Sequence, residues 1–161
     1  MDRLHPGTAR QELHAFLGHW TGTTRIEATP RRPARTAAAE LTFATAAGGY
    51  AVLQSYRHSE NDGIRFERHG MFTMDADHPD TVWYHVDSVG LPREAPTRCT
   101  LHNGVLTVER RNGRDTSRHT FRVDDGVLTH TSEVRLADSA AFTPFMTSVC
   151  RRVAEDSAAR P

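Results

Sequence analysis

Apolar residues recur at two different spacings along this chain. Near its start, in PGTARQELHAFLG, Leu13, Phe16 and Leu17 share one helical face, with Thr8 placed to cap and Gln11 three residues later. Gly18 ends that segment, so one short amphipathic helix is expected. From Gly18 onward the period is two, and turn residues interrupt it roughly every eight to twelve positions, as in an all-β sandwich or barrel. Ten strands are expected, over 19–29, 37–46, 50–59, 64–75, 80–88, 96–102, 105–111, 116–124, 127–136 and 143–153. The breaks at Gly48–Gly49, Asn61–Gly63, Asn103–Gly104, Asn112–Gly113 and Asp124–Gly126 carry tight-turn chemistry, while DADHPD and GLPREAP read as longer loops. No interval accommodates the repeated crossover helices of a parallel sheet, so the sheet is antiparallel and mostly up-and-down.

The inner faces are mixed. One phase of the fourth strand carries Ile64, Phe66, Phe72 and Met74 together with Arg68 and Gly70. Leu106, Val108 and Arg110 form a second such phase, and Leu128, His130, Ser132, Val134 and Leu136 a third. In TVWYHVDS the choice between Val82, Tyr84, Val86 and Trp83, His85, Asp87 stays open. A sandwich core would be more uniformly aliphatic, whereas a closed barrel tolerates polar side chains in a lumen that holds ligand and water. The expected fold is therefore an all-β, roughly ten-stranded antiparallel up-and-down barrel with a short N-terminal helix.

A length of 161 residues fits a single domain, with the ordered barrel over about 8–153 and a tail over 154–161. Hydrophobic content of 37% and charged content of 25% fit a soluble globular chain, with no apolar run of membrane-spanning length. The N-terminus lacks the apolar core of a signal peptide, and a cytoplasmic location is expected. Zero net charge gives no reason to expect nucleic acid or membrane as a partner; a small-molecule ligand or substrate is expected, on a monomer or homodimer. All 20 basic residues are arginine, which suggests GC-rich bacterial coding and excludes Schiff-base chemistry on a lysine. Cys99 and Cys150 form neither a metal spacing nor a redox pair.

FLGHWTG, Phe16 to Gly22, resembles the opening of the calycin barrels, in which a short helix leads into a G-x-W motif. Its second glycine makes it similar to the nitrobindin branch and to small bacterial fatty-acid-binding-protein-like (lipocalin-like) domains of unknown function. RFERHGMFTMDADHPDTVWYHVDSVGLP is similar to the paired central strands of those domains, and SVCRRV resembles the last strand of fatty-acid-binding proteins. The resemblance implies that Trp20 plugs the closed barrel end and that Arg152 points inward. The tyrosine usual two residues beyond is Ala154 here. Nitrobindins bind haem through a histidine close to the C-terminus, but this chain has none after His130, so haem is disfavoured and no cofactor is expected.

No motif carries a nucleophile elbow, a phosphate-binding glycine loop or a zinc spacing, and no metal site is expected. His5, His14, His58, His78 and His102 lie near termini or turns and read as solvated; His69, His85, His119 and His130 lie within strands. A lumen arginine requires a carboxylate or an anionic ligand; Glu40, Glu67, Glu109 and Glu133 are the structural alternatives. Tyr50, Tyr56 and Tyr84 are possible hydroxyl donors. The candidate ligand-binding set is Arg68, Tyr84, Arg110, His119, His130, Ser132 and Arg152. The expected function is binding of a small, largely hydrophobic molecule, neutral or anionic, in the cavity. The alternative is a cavity enzyme of secondary metabolism (a cyclase, isomerase or hydrolase) with His130 and His119 as acid–base groups.

Overall fold

The computed structural model describes residues 6–74, 81–90 and 95–154. The expected loop at 75–80, most of the loop after Gly90, the tail beyond Ala154, and His5 and His78 lie outside the described residues. Helix α1 (Pro6–His14) leads into ten strands. They are β1 (Gly18–Ile26), β2 (Arg35–Ala46), β3 (Ala51–Glu60), β4 (Arg65–Met74), β5 (Thr81–Asp87), β6 (Thr97–His102), β7 (Val105–Asn112), β8 (Asp115–Asp124), β9 (Val127–Arg135) and β10 (Thr143–Arg152). Each strand pairs antiparallel with its sequence neighbour, and β1 pairs with β10 to close the barrel. The helix begins at Pro6, two residues before the expected cap Thr8, because a first helical position does not need the N–H that proline lacks.

One end of the lumen is apolar and sealed. Leu13 from the helix and Phe16 just beyond it meet Trp20, Leu41 and Phe43, none more than 2% exposed. The aromatic packing continues inward from Phe16 to Phe43, Phe121, Phe72 and Trp83, with successive ring centroids 5.7–6.2 Å apart. Trp20 donates its indole N–H to the Phe16 carbonyl at 2.8 Å, which fixes the helix end over the strand. Burying the rings supplies about 2–3 kcal/mol each, before the entropy of ordering them is counted.

Gly22 acts at the barrel seam. It sits opposite Cys150 across the β1–β10 seam, and a Cβ there would lie 2.0 Å from the Val149 carbonyl oxygen. The missing side chain lets the two strand backbones approach where the barrel closes.

Two sequence expectations about placement are corrected. Tyr84 is 46% exposed on the outer wall, because β5 turns Trp83, His85 and Asp87 into the lumen. Arg152 keeps the inward register opposite Trp20 but lies at the sealed end, not in the mouth cavity. Its guanidinium covers the Trp20 ring, 4.4 Å from the centroid, and donates to the Ala15 carbonyl at 3.0 Å, closing the helix end from outside.

Candidate functional site

The end of the barrel away from the helix opens into a cavity of about 490 Å³. Ile26, Phe66, Phe145 and Met146 give it apolar walls, and His58, Glu60, Arg68 and Asp87 bring charge and hydrogen-bonding capacity to the same space. The polar side chains reach it through strand alternation. His58 and Glu60 are inward positions of β3, Arg68 of β4, and Asp87 of β5, and Arg68 stands opposite Asp87 in the β4–β5 register.

Arg68 is the central charge. Its residue is 8% exposed, and its guanidinium lies 5.2 Å from the Phe66 ring centroid and 6.0 Å from that of Trp83. Asp87 approaches Nη2 only to 4.0 Å, too far for a direct hydrogen bond, and neither Nε nor Nη1 has a partner among the described residues. Burial pulls the guanidinium pKa down to about 10, against the attraction of Asp87 and with the repulsion of Arg110. The glutamates considered as structural partners are elsewhere. Glu40 meets His19 and Arg57, Glu67 meets His69, and Glu109 and Glu133 meet Arg118, all on the outer wall.

Beneath Arg68 the lumen is polar but tightly packed. His119 Nδ1 lies 3.2 Å from His130 Nε2, and the Ser132 hydroxyl reaches both rings at 3.1 and 3.4 Å. His130 stacks on Phe121 with centroids 4.2 Å apart. Desolvation, reinforced by Arg68, depresses His130 to about 3 and His119 well below the usual imidazole range, so both rings are neutral at pH 7. Arg110 lines the same interior and contacts His85. Desolvation and then Arg110 bring His85 down to about 4. Arg68, Arg110, His119, His130 and Ser132 are thus brought together as expected from their registers, while Tyr84 and Arg152 are not.

A second polar chain climbs the wall between β10 and β3. Ser148 and Thr24 hydroxyls are 2.7 Å apart, Thr24 is 2.9 Å from the Tyr56 hydroxyl, and Tyr56 is 2.8 Å from His58 Nδ1. Thr24, Tyr56 and Ser148 are fully buried. His58, expected to be solvated near a turn, is 7% exposed and stacks on Phe66 at 5.4 Å. β3 continues through Glu60, so His58 is still in strand register rather than in the turn that follows. Tyr50 is 48% exposed, leaving Tyr56 as the interior tyrosine of the three considered.

Haem does not fit His130. One ring face is covered by Phe121, Nε2 is occupied by His119 and Ser132, Tyr56 packs edge-on at 5.7 Å, and Nδ1 is buried, so neither ring nitrogen opens onto the cavity. Among the described residues no group of three or more His, Cys, Asp or Glu is placed to hold a metal ion, and no helix is long and apolar enough to cross a membrane.

Two solved structures share this architecture. Rv2717c from M. tuberculosis is similar with a TM-score of 0.67 and 16% identity, over 90% of this chain and 97% of that one. The S-type phycobiliprotein lyase CPES from Guillardia theta has a TM-score of 0.63 and 9% identity, over 96% of this chain and 99% of that one. At these identities the likeness shows the fold, a small calycin-like barrel, and nothing finer. No curated protein matches the chain. A family match spans residues 5–152, from the helix to the last strand, and the chain belongs to that family, described as Protein of unknown function (DUF1579).

Proposed function

We propose that this is a cytoplasmic barrel that binds a small, largely apolar molecule bearing an anionic group, with the anion against Arg68 and the apolar body in the mouth cavity. One observation carries the reading: among the described residues this buried guanidinium has two donor nitrogens, Nε and Nη1, without acceptors, and its paired carboxylate, Asp87, stands 4.0 Å away. A fold gains nothing from such a charge, because desolvation is costly without matched acceptors. A ligand carboxylate or phosphate supplies those acceptors through two parallel charge-assisted bonds. Ile26, Phe66, Phe145 and Met146 provide the apolar contact surface. Likeness to a phycobiliprotein lyase supports, in a general way, a barrel with a working interior.

Catalysis by His119 and His130 has less behind it. Both are buried beneath the cavity, bonded to each other and to Ser132, and too weakly basic to accept a proton readily near neutral pH.

Displacement of anilinonaphthalene sulfonate by decanoate and by decanol tests the proposal. Decanoate is expected to bind at least about tenfold more tightly than decanol, the scale of one charge-assisted pair. Arg68→Met is expected to remove that difference while leaving decanol binding in place. Equal decanoate affinity in the variant and the parent protein would show that the anion does not meet Arg68.

A further inference from the structure

We propose that His58 is a proton-transfer group for a ligand anchored at Arg68, and that the cavity catalyses enolisation of an apolar acid whose carbonyl neighbours an acidic C–H, such as an aryl 2-oxo acid. This rests on the anion-binding reading above and adds chemistry to it.

The argument begins with orientation. His58 Nδ1 is held 2.8 Å from the Tyr56 hydroxyl, and Tyr56 is itself fixed by Thr24 at 2.9 Å. No described residue bonds Nε2, although the side chain lines the cavity. One ring nitrogen is therefore committed to the wall and the other is available to a guest. The imidazole also stacks on Phe66, the ring over which the Arg68 guanidinium sits, so base and anion anchor flank one apolar side chain. In the β3–β4 ladder His58 pairs with Phe66 and Tyr56 with Arg68, which places His58 and Arg68 on a diagonal of the same inner face.

The groups facing His58 set its protonation. Tyr56 and Glu60 flank it on β3, Arg35 approaches from β2, Arg68 from β4, and Asp87 from β5 lines the same cavity. Glu60 is already neutralised by Arg35 at 2.7 Å and Arg32 at 3.1 Å. Burial, then Arg35 and Arg68, outweigh Glu60 and lower the imidazole pKa, so the ring is an unprotonated base at neutral pH. His119 and His130 lack the accessible nitrogen; His58 alone among the interior histidines described combines a free Nε2 with a place on the cavity wall.

The step balances without a co-reactant. Nε2 accepts the proton from the carbon beside the carbonyl, and the C–H electron pair becomes the C=C bond of an enolate. The imidazolium then returns the proton to the enolate oxygen, giving the enol. Tyr56 is a positioning residue in this scheme; it orients the ring through Nδ1 and does not touch the ligand.

Phenylpyruvate is the probe. Its binding is measured by anilinonaphthalene sulfonate displacement, and its enolisation by deuterium uptake at the benzylic carbon followed by proton NMR. We expect saturable binding and exchange on the order of a hundredfold above protein-free buffer. His58→Gln is expected to bind within about threefold of the parent protein and to return exchange to the buffer rate. Tyr56→Phe should bind equally and move the acid limb of the exchange–pH profile toward lower pH, since Nδ1–H loses the hydroxyl that accepts from it most strongly once the ring is protonated; circular dichroism checks that both variants fold. Binding without accelerated exchange, or exchange that survives His58→Gln, overturns the proton-transfer role and leaves the anion site standing. Absence of saturable phenylpyruvate binding overturns both.

Discussion

A guanidinium taken out of water and left short of acceptors weakens the empty barrel and prepares it for a ligand. Arg68 and Asp87 are both about 10% exposed at the side chain, yet stay 4.0 Å apart. Replacing both by neutral groups of similar shape, Arg68→Met with Asp87→Asn, removes two desolvation costs and one weak attraction. Urea denaturation should show the double variant at least as stable as the parent, while decanoate binding is lost. A double variant less stable by more than about 1 kcal/mol would mark the pair as structural instead. Asp87→Asn alone should tighten decanoate binding a few-fold, because the competing carboxylate is gone. Much of this site was legible in the residues that interrupt apolar registers: Arg68, Arg110, His119, His130 and Ser132 all face inward. Tyr84 was not, because both phases of β5 contain large apolar side chains. The inward phase is the one that buries Trp83, 1% exposed and stacked on Phe72, and it carries His85 and Asp87 with it. His58 was obscured by its closeness to the Asn61–Gly63 turn, and Arg152 by a family pattern that the closed end of this barrel does not follow.

At the scale of elements, the strand count and order followed from period-two patterning and glycine turns, and most boundaries fall within one or two residues of expectation. β1 is the exception: it stops at Ile26 rather than at 29, because the chain turns back there, with Thr29 bridging Arg32 around Pro30. The segment 27–34 then lies beside the mouth. Arg32 Nη2 ties it to Glu60 Oε2 at 3.1 Å and to Asp62 Oδ2 at 2.8 Å, and Glu60 also holds Arg35. Glu60→Gln should raise amide exchange across 27–34 while leaving β2 and β3 protected, which hydrogen–deuterium mass spectrometry resolves. Unchanged exchange there would mean that local backbone bonding, not Glu60, fixes the segment. The seam on the opposite flank is less forgiving. Gly22→Ala places a methyl group 2.0 Å from the Val149 oxygen, and backbone cannot rotate away as a side chain can. A loss of at least about 2–3 kcal/mol is expected in chemical denaturation, or failure to fold.

Across the whole molecule, the interior histidines link barrel stability to acidity. His130 is held at about 3, His85 at about 4, and His119 well below the ordinary value, in each case mainly by burial. Their unfolded counterparts titrate near 6.5. Below that pH the unfolded chain takes up protons that the closed barrel refuses, so stability falls as pH drops from about 6.5 toward the folded values, then levels once the folded rings also protonate. Above about 7 the histidines contribute no slope. Each fully buried ring accounts for about 1.4 kcal/mol per pH unit within the window. His119 and His130 together should therefore make the barrel roughly 3 kcal/mol less stable on going one pH unit down inside it. Urea midpoints measured between pH 7.5 and 5 check this, with His119→Gln expected to lower the slope by about 1.4 kcal/mol per pH unit and the proton uptake on unfolding by one. Saturation with decanoate at pH 5 should restore stability by mass action, since the ligand binds only the closed barrel. A flat profile from pH 7.5 to 5 in the parent protein would mean that the two rings are solvated or already charged in the folded state, and the dry, positively charged interior on which ligand capture depends would have to be abandoned.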